Sequence, residues 1–359
     1  MIMQPKLSSV LDPDKNSFNL VRLVAALAVV FSHSFLIPIA PGAPEPLSAE
    51  TPFNLSQHAV NAFFVLSGLT LTQSIVQKPN ILSFAIARAL RIFPALIGFG
   101  LVFAFLVGPF VTKLPLSEYW GDLHTWIYAL GVPIFFQHAT PPHEIFTTVP
   151  LAGSVNNPLW TIKYEVAAYV ALAICSFLGV LRSRDGVLLS TAILFGLLII
   201  FNSESDEGIR GAMHQTARFG SCFMLGVLAY FYRESIPVSW LLLPITLVIA
   251  FAVRGTFFEK HAFLALIAHF VIVFGALNYG ALTRWTRETD ISYGVYIYGW
   301  PTQQVIVTVF GSIGIAGLAS LSLLIVPLLG LLSWHLIEKP ALALKKIFRA
   351  GAVAEVRAP

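Results

Sequence analysis

Residues 19–39 read NLVRLVAALAVVFSHSFLIPI, an apolar run long enough to cross the hydrocarbon core of a bilayer as a helix. Two ionisable side chains, Arg22 and His33, interrupt this run. On a helix each residue turns the chain by about 100°, so after eleven residues the side chain of His33 points within about 20° of the direction of Arg22. The two residues are then about 16 Å apart along the helix axis. Ionisable groups are costly inside a membrane, and they mark a functional site by default. The run therefore predicts a membrane helix with a functional face.

The composition is that of a membrane protein. Of the 359 residues, 57% are hydrophobic and 11% are charged, whereas soluble globular proteins have about 45–50% apolar residues. The net charge of +4 does not predict a nucleic-acid partner, because basic residues collect beside the cytoplasmic ends of membrane helices. Cys175 and Cys222 lie in apolar runs and predict neither a disulfide framework nor a cysteine metal site. We expect an all-α polytopic membrane protein surrounded by the lipid bilayer.

Ten apolar segments predict about ten transmembrane helices. They lie at 19–39, 58–77, 84–110, 158–181, 187–202, 213–232, 237–254, 261–282, 291–310 and 314–337. If the N-terminus is inside, sixteen of the 22 Lys and Arg residues fall on the cytoplasmic side. The remaining six lie outside or in the spans: Lys113, Lys163, Arg210, Arg218, Arg254 and Lys260. Cytoplasmic segments hold the excess of basic residues, so both termini are predicted to be cytoplasmic.

The chain is predicted to form a single membrane-embedded domain over residues 1–350, with a short tail at 351–359. The longest connection between predicted spans, 111–157, contains the apolar stretch HTWIYALGVPIFF at 124–136. A spanning helix needs about 20 residues, so this stretch predicts a re-entrant or interfacial helix within a long outer loop. Long loops of this kind often cap a functional site.

Arg22 and His33 each have a structural and a functional interpretation. Arg22 lies near the inner end of its span, where a guanidinium can reach the lipid phosphates. His33 lies deeper, between Ser32 and Ser34, and a neighbouring hydroxyl can satisfy a buried histidine. A histidine can also take or give a proton near neutral pH. The residues alone favour His33 over Arg22 as the group that does chemistry.

A second candidate is FAIARALRIFP at residues 84–94. Phe84, Arg88 and Arg91 follow i, i+4, i+7 spacing and share one helix face. Two guanidiniums one turn apart can make bidentate hydrogen bonds to phosphate oxygens. They can equally anchor the helix at the cytoplasmic boundary. Spacing alone leaves both interpretations open.

A third candidate is NNPLWTIKYEVAAY at residues 156–169, where Glu165 and Tyr169 are one helical turn apart. The Glu165 carboxylate can orient His33, bind sugar hydroxyls or pair with a cation. The structural alternative is a local ion pair with Arg218 or Lys163. These interpretations also stay open.

The remaining motifs predict packing rather than chemistry. VNAFFVLSGLTL, residues 60–71, places Ser67 beside Gly68 but lacks the G-x-S-x-G pattern of a hydrolase nucleophile. Small residues at such positions let helices approach closely. The histidines other than His33 show no H-E-x-x-H or comparable ligand spacing. No metal site is predicted.

Taken together, these stretches resemble the acyltransferase 3 family of integral membrane acyltransferases, which modify carbohydrates and related acceptors. The resemblance begins with Arg22 and His33 as an R-x10-H motif. It continues with FFVLSG at 63–68, the R-x-x-R pair between Phe84 and Pro94, LWTIKYEVAAY at 159–169, SYGVYIYGWP at 292–301 and IEKP at 337–340. Each motif is weak alone, but their order along nearly the whole chain is specific. One departure is YGWP, where many members have a histidine.

The resemblance implies transfer of an acyl group, usually acetyl from cytoplasmic acetyl-CoA, to a hydroxyl of a cell-surface or exported carbohydrate or a lipid-linked glycan. It implies a bacterial inner (plasma) membrane protein without a metal cofactor. The resemblance implies His33 as the catalytic base, Arg22 as a supporting cation, and Arg88 and Arg91 at the CoA phosphates. We add Glu165 as a third catalytic candidate, and Trp160 and Tyr169 as candidate contacts for the acceptor. The alternative is a proton-coupled transporter or flippase that uses the intramembrane His, Glu and Arg residues as a relay.

Overall fold

The computed structural model describes residues 5–202 and 208–345. Every regular element among them is helical, and β pairing is confined to two isolated bridges, Lys6 with Pro237 and Thr112 with Ile145. The α-helices are α1 (Phe18–His33), α2 (Leu55–Gln77), α3 (Ile81–Val102), α4 (Gly108–Val111), α5 (Leu116–Gly121), α6 (Leu123–Phe135), α7 (Ile162–Phe177), α8 (Arg184–Ile200), α9 (Gly208–Phe231), α10 (Leu243–Ala252), α11 (Glu259–Ala276), α12 (Ala281–Glu288), α13 (Ser292–Phe310), α14 (Ile315–Ser333) and α15 (Lys339–Ala343). The predicted all-α class is confirmed, and the predicted tail at 351–359 lies outside the described residues.

Each of the ten predicted spans overlaps a helix. Within the described part of the chain, five helical segments are long and apolar enough to cross a membrane: Leu55–Gln77, Ile81–Val111, Asn157–Phe177, Glu259–Ala276 and Ile315–Ala343. Two shorter apolar helical segments, Phe18–His33 and Trp240–Ala252, accompany them. The number of ten spans and the cytoplasmic position of both termini stay predictions.

The chain divides into two compact units. The first contains Met1–Ala25, Leu47–Ile81 and Tyr164–Glu288, and the second contains Ala26–Pro46, Leu82–Lys163 and Thr289–Pro359. Helix α1 therefore contributes Arg22 to the first unit and His33 to the second. A single domain over residues 1–350 stays a prediction.

In the first unit, α2 and α9 approach until their backbones touch. A Cβ atom at Gly68 would lie 1.9 Å from the Phe223 carbonyl oxygen, and one at Gly226 would lie 2.1 Å from the Val65 carbonyl oxygen. Both distances are far inside van der Waals contact, so only glycine fits at either crossing point. The predicted packing role of Gly68 is confirmed.

Replacing Gly68 with alanine is expected to destabilise the protein by about 3 kcal/mol, because the backbone of α9 must move away from the added methyl group. Gly196 in α8 is the matched control, since a Cβ there has nothing within 4 Å. Alanine at Gly196 should leave stability unchanged or slightly raise it. Thermal unfolding of the purified variants in detergent measures both effects. Equal unfolding temperatures for the two variants would contradict the close contact.

In the second unit, α13 is buried along most of its length. It packs against α14, and a Cβ at Gly294 would lie 2.9 Å from the Gly330 Cα atom. The Tyr296 hydroxyl donates a hydrogen bond to the Pro158 carbonyl at 2.8 Å, and Trp300 Nε1 donates to the Ser154 carbonyl at 3.1 Å. The polar groups of α13 therefore hold the end of the 111–157 connection in place.

The apolar stretch within that connection forms α6, a helix of 13 residues. At 1.5 Å per residue its length is about 20 Å, which is less than the about 30 Å of a hydrocarbon core. Asp122 caps its first turn by accepting a hydrogen bond from the His124 backbone N–H at 3.0 Å. The predicted short helix is confirmed, while its position relative to a membrane stays a prediction.

Candidate functional site

His33 is the last residue of α1. Its carbonyl oxygen accepts hydrogen bonds from the backbone N–H groups of Leu36 and Ile37, at 3.1 and 3.0 Å, which end the helix in a tight turn. The ring lies edge-on to Trp300, with ring centroids 5.0 Å apart and planes at 81°. His33 is therefore oriented by an aromatic neighbour at the end of α1.

Glu45 is the carboxylate next to His33 in the second unit. Its charge acts directly on the imidazole, and its Oε2 atom accepts a hydrogen bond from the Ser32 hydroxyl at 2.5 Å. A carboxylate beside a histidine stabilises the imidazolium that forms when the ring takes a proton. Sequence analysis missed Glu45, because it lies in a Pro-rich loop where no periodicity links it to α1.

The hydroxyls that flank His33 are committed to other acceptors. Ser32 donates to Glu45, and Ser34 donates to the Val30 carbonyl at 3.1 Å. Ser34 also accepts from Gln303 Nε2 at 2.8 Å, and Gln303 is fully buried. The structural interpretation of His33 required a neighbouring serine to satisfy the ring. This hydrogen-bond pattern weakens that interpretation.

A small cavity of about 80 Å³ lies within the 111–157 connection. Aromatic rings and amides line it, including Tyr128, Phe136, Gln137 and Asn156. The buried side-chain oxygens of Gln137 and Asn156 have no hydrogen-bond partner among the described residues. Amide oxygens without partners on the residues that line such a cavity are available acceptors for hydroxyl or N–H donors of a ligand.

The wall of this cavity is connected to His33. Ser154 lines the cavity, and its carbonyl accepts the indole hydrogen bond of Trp300. Trp300 is 2% exposed, and its ring contacts the His33 ring edge-on. The cavity and the histidine therefore share one buried tryptophan as a neighbour.

Arg91 of α3 lies between two carboxylates of the second unit. Its guanidinium donates to Asp290 Oδ2 at 2.7 Å and to Glu338 Oε2 at 3.2 Å. Glu338 is 1% exposed and also accepts from the Ser333 hydroxyl at 2.9 Å. The two carboxylates offset the charge of Arg91 and join the R-x-x-R, SYGVYIYGWP and IEKP motifs. Sequence analysis quoted IEKP but gave Glu338 no role.

Arg88 precedes Arg91 by almost one turn of α3 and is half-buried, while Phe84 on the same face is buried. The predicted sharing of one helix face by these side chains agrees with the continuous helix from Ile81 to Val102. Their predicted role at a phosphate group stays a prediction.

Arg22 in the first unit is held by polar side chains. It donates to Asn19 Oδ1 at 3.1 Å and to Thr70 Oγ1 at 2.8 Å. Asn19 lies one turn earlier on α1, and Thr70 lies on α2. A guanidinium that only extends towards lipid phosphates needs no such partners, so these hydrogen bonds favour a defined position for the cation.

Glu165 and Tyr169 of α7 form the predicted one-turn pair, because the Tyr169 hydroxyl donates a hydrogen bond to the Glu165 carboxylate. Trp160 lies just before α7, in a short 3-10 turn at Asn157–Thr161 that belongs to the second unit. The predicted interaction of Glu165 with His33 stays a prediction, as do the acceptor roles of Trp160 and Tyr169.

Arg218, one of the suggested partners of Glu165, is a buried arginine of the first unit with 1% exposure. It donates to Asn61 Oδ1, Gln215 Oε1 and the Gln57 carbonyl at 2.9, 3.0 and 3.1 Å. Neutral oxygens that surround a guanidinium in this way fix its position. Arg218 thus supports the α2–α9 pair.

Comparisons with known proteins agree with the resemblance seen in the sequence. The model of the acyltransferase 3 family, described as an acyltransferase domain, matches residues 15–334. An O-acetyl transferase of Shigella phage Sf6 is 27% identical over 336 residues, which cover 90% of this chain and 95% of the relative. Nodulation protein 10 of Rhizobium leguminosarum bv. viciae is 27% identical over 361 residues, which cover 92% of this chain and 94% of the relative.

No solved structure gives a significant match to the chain. The family match covers nearly the whole chain and includes the R-x10-H helix, the R-x-x-R helix and α13. Together with the apolar helices, it identifies an integral membrane enzyme of acyl transfer. The chain belongs to the acyltransferase 3 family.

Proposed function

We propose that this protein transfers an acetyl group from acetyl-CoA to a hydroxyl of a carbohydrate, as an O-acetyltransferase of the bacterial inner (plasma) membrane. The observation that carries the proposal is His33 at the end of α1, with the Glu45 charge acting on it and Trp300 packed against its ring. The name of the phage relative, O-acetyl transferase, supports the choice of acetyl and of a hydroxyl acceptor.

In the proposed reaction, His33 takes the proton of the acceptor hydroxyl as its oxygen attacks the thioester carbonyl. An alcohol is a poor nucleophile, and a positioned base removes its proton as charge develops. The new C–O bond forms, the C–S bond breaks, and the CoA thiolate leaves with the proton that His33 captured. Glu45 stabilises the imidazolium between these two events. The products are the acetyl ester and free CoA.

The proposed binding of acetyl-CoA depends on positively charged side chains. Arg88 and Arg91 are proposed to contribute positive charge at the CoA phosphates, and Arg22 is proposed as a supporting cation near the reaction. Because Asp290 and Glu338 already offset Arg91, we assign most of the phosphate contact to Arg88. The flexible pantetheine arm of CoA would span the distance between the phosphates and the reacting carbon.

The acceptor side of the proposal places a sugar hydroxyl in the 111–157 cavity. Partnerless amide oxygens beside aromatic rings suit a ligand that has both hydroxyl donors and an apolar ring face. Trp160 and Tyr169, with the Glu165 carboxylate bound to Tyr169, are proposed as further acceptor contacts. The acceptor class is an exported polysaccharide or a lipid-linked glycan.

Replacing Gln137 with methionine is expected to raise the KM for the carbohydrate acceptor about ten-fold while kcat changes little, because one hydrogen bond that serves binding is lost. Methionine keeps the length and volume of the side chain. Steady-state kinetics with varied acceptor and saturating donor provide the measurement. An unchanged acceptor KM together with a raised donor KM would place the donor in this cavity instead.

The activity itself is tested with membranes that contain the protein and acetyl-CoA labelled in the acetyl group. We expect label to appear in a glycan as an alkali-labile ester, and the His33→Ala protein should transfer none. Mass analysis of surface glycans from cells with and without the protein then identifies the acceptor. Movement of a substrate across the membrane without covalent change would instead support the transporter.

A further inference from the structure

Three side chains with metal-binding atoms meet at the start of α6. His124 Nδ1 lies 3.0 Å from Asp122 Oδ1, and His143 Nδ1 lies 2.9 Å from Asp122 Oδ2. One ligand atom of each residue lies within 4.8 Å of the other two. The imidazole rings themselves are 4.4 Å apart between centroids. The cluster belongs to the second unit and shares no residue with the cavity assigned to the acceptor.

Backbone hydrogen bonds hold the cluster at Asp122 and at the residue that follows His143. On one side, Asp122 is the N-cap of α6 and accepts from the backbone N–H groups of His124 and His143, at 3.0 and 3.1 Å. On the other side, the Lys113 N–H donates to the Glu144 carbonyl at 3.1 Å. The ligand atoms are thus preorganised rather than carried on free side chains.

The chain after His143 is anchored in an unusual conformation. Glu144 and Phe146 have φ angles of 56° and 51°, in the left-handed region that is costly for residues with a Cβ atom. Ile145, which lies between them, is 2% exposed, and Phe146 itself is 0% exposed. Burial of these two apolar side chains supports the strained turn, which directly follows His143.

We propose that Asp122, His124 and His143 form a Zn²⁺ site. Two imidazole nitrogens and one carboxylate oxygen are a common ligand set for zinc, and the fourth tetrahedral position is left to water. Bonds of about 2.0–2.2 Å to a tetrahedral ion place neighbouring ligand atoms about 3.3 Å apart. The two nitrogens lie 3.0 and 2.9 Å from different oxygens of the Asp122 carboxylate. One ligand atom of each residue lies within 4.8 Å of the other two, so the histidine rings must move closer together to bind one ion through a single carboxylate oxygen.

Solvent reaches the cluster from the side of the histidines. The side chains of His124 and His143 are 38% and 60% exposed, whereas Asp122 is 10% exposed. An arriving cation meets the Asp122 carboxylate and two imidazoles, and each imidazole binds it through Nδ1 when its ring proton sits on Nε2.

Zinc at this position would fasten the segment around His143 to the start of α6. His143 lies two residues beyond Pro141, which lines the cavity assigned above to the acceptor. The sequence predicted no metal site because D-x-H followed by a distant histidine matches no standard ligand spacing. Only the turn at Glu144 brings the third ligand to the other two.

The test uses the full-length protein, purified in detergent without a histidine tag and treated with a chelator. Titration with Zn²⁺ against a competing indicator dye should show one high-affinity ion per chain. His143→Ala and Asp122→Asn should each weaken that binding by at least about ten-fold, since even outer-shell partners of zinc contribute 10–100-fold. Asparagine still caps a helix, so Asp122→Asn removes the charge and keeps the cap.

His138→Ala is the matched control, because His138 is exposed in the same connection and its ring bonds to Gln137 rather than to the cluster. Its Zn²⁺ affinity should equal that of the unchanged protein. The double variant of His124 and His143 should bind no high-affinity ion, because only the Asp122 carboxylate is left. Equal, additive losses for all three histidines would show adventitious surface binding and overturn the proposal.

Limited proteolysis provides a second measurement that does not rely on affinity. Zn²⁺ should slow cleavage within residues 136–157 of the unchanged protein, and it should have no such effect on His143→Ala. The exposed position of His143 makes misfolding of this variant easy to check, through its unfolding temperature in chelator. The same protection by Zn²⁺ in both proteins would also overturn the site.

Discussion

The His33→Ala protein is expected to lose acyl transfer by at least about a thousand-fold, because it removes the base that accepts the acceptor proton. His33 lies at the end of α1, where its carbonyl closes the helix through backbone hydrogen bonds that alanine keeps. The variant should therefore insert into the membrane and unfold at nearly the same temperature. Single-turnover transfer of labelled acetyl at saturating donor and acceptor measures the chemical step.

Two further variants distinguish the role of His33 as the base from the effect of losing any histidine and from the effect of the neighbouring charge. His335→Ala removes an exposed histidine whose ring bonds to the Leu331 carbonyl, and activity should be unchanged. Glu45→Gln keeps the hydrogen-bond acceptor for Ser32 but removes the charge that acts on the imidazole, so kcat should fall while both KM values stay nearly constant. Retained transfer by correctly inserted His33→Ala would falsify its role as the base.

Replacing Arg91 with alanine is expected to be the most destabilising single change among the proposed site residues, by about 3–5 kcal/mol, because it leaves the buried Glu338 carboxylate without its guanidinium. The second change Glu338→Gln should restore much of the loss, since a neutral amide needs no counter-charge. Thermal unfolding and detergent-soluble yield of the two single variants and the double variant form a complete double-mutant cycle.

The cycle also distinguishes a stabilising Arg91 from one that binds phosphate. If Arg91 mainly holds Asp290 and Glu338 in place, the double variant regains both folding and donor affinity. If Arg91 binds the CoA phosphates, the double variant folds but keeps a raised KM for acetyl-CoA. Arg88→Ala is the companion variant, and we expect it to raise the donor KM without changing the unfolding temperature. An Arg88→Ala protein with normal donor saturation would favour a membrane anchor at that position.

Much of the fold was predictable because it depends on local periodicity. Apolar segments of membrane length marked the places where helices form, and the short length of 124–136 correctly indicated a helix below spanning length. The i, i+4 spacing of Glu165 and Tyr169 was enough to predict their contact. The small residue Gly68 likewise predicted a close helix crossing, although not which helix it meets.

The candidate site was predictable only in part. Motif order identified His33 and Arg91, since both lie on helices with recognisable patterns. It did not identify the partners that define their chemistry: Glu45 beside His33, and Asp290 and Glu338 around Arg91. Glu45 comes from a loop, Asp290 lies just before α13, and Glu338 ends the π-helical turn Trp334–Glu338 that follows α14. Nothing in their local sequence indicates what they face.

The sequence by itself determined the helical membrane class, the family and the residues that carry ionisable groups in apolar segments. The tertiary structure decided how those groups are paired: which carboxylate acts on His33, how far the charge of Arg91 is offset, and that Asp122, His124 and His143 meet. The reason is physical. Helix formation and burial follow from the spacing of neighbours along the chain. An electrostatic partner, in contrast, is often far away in the sequence and comes close only when the chain folds.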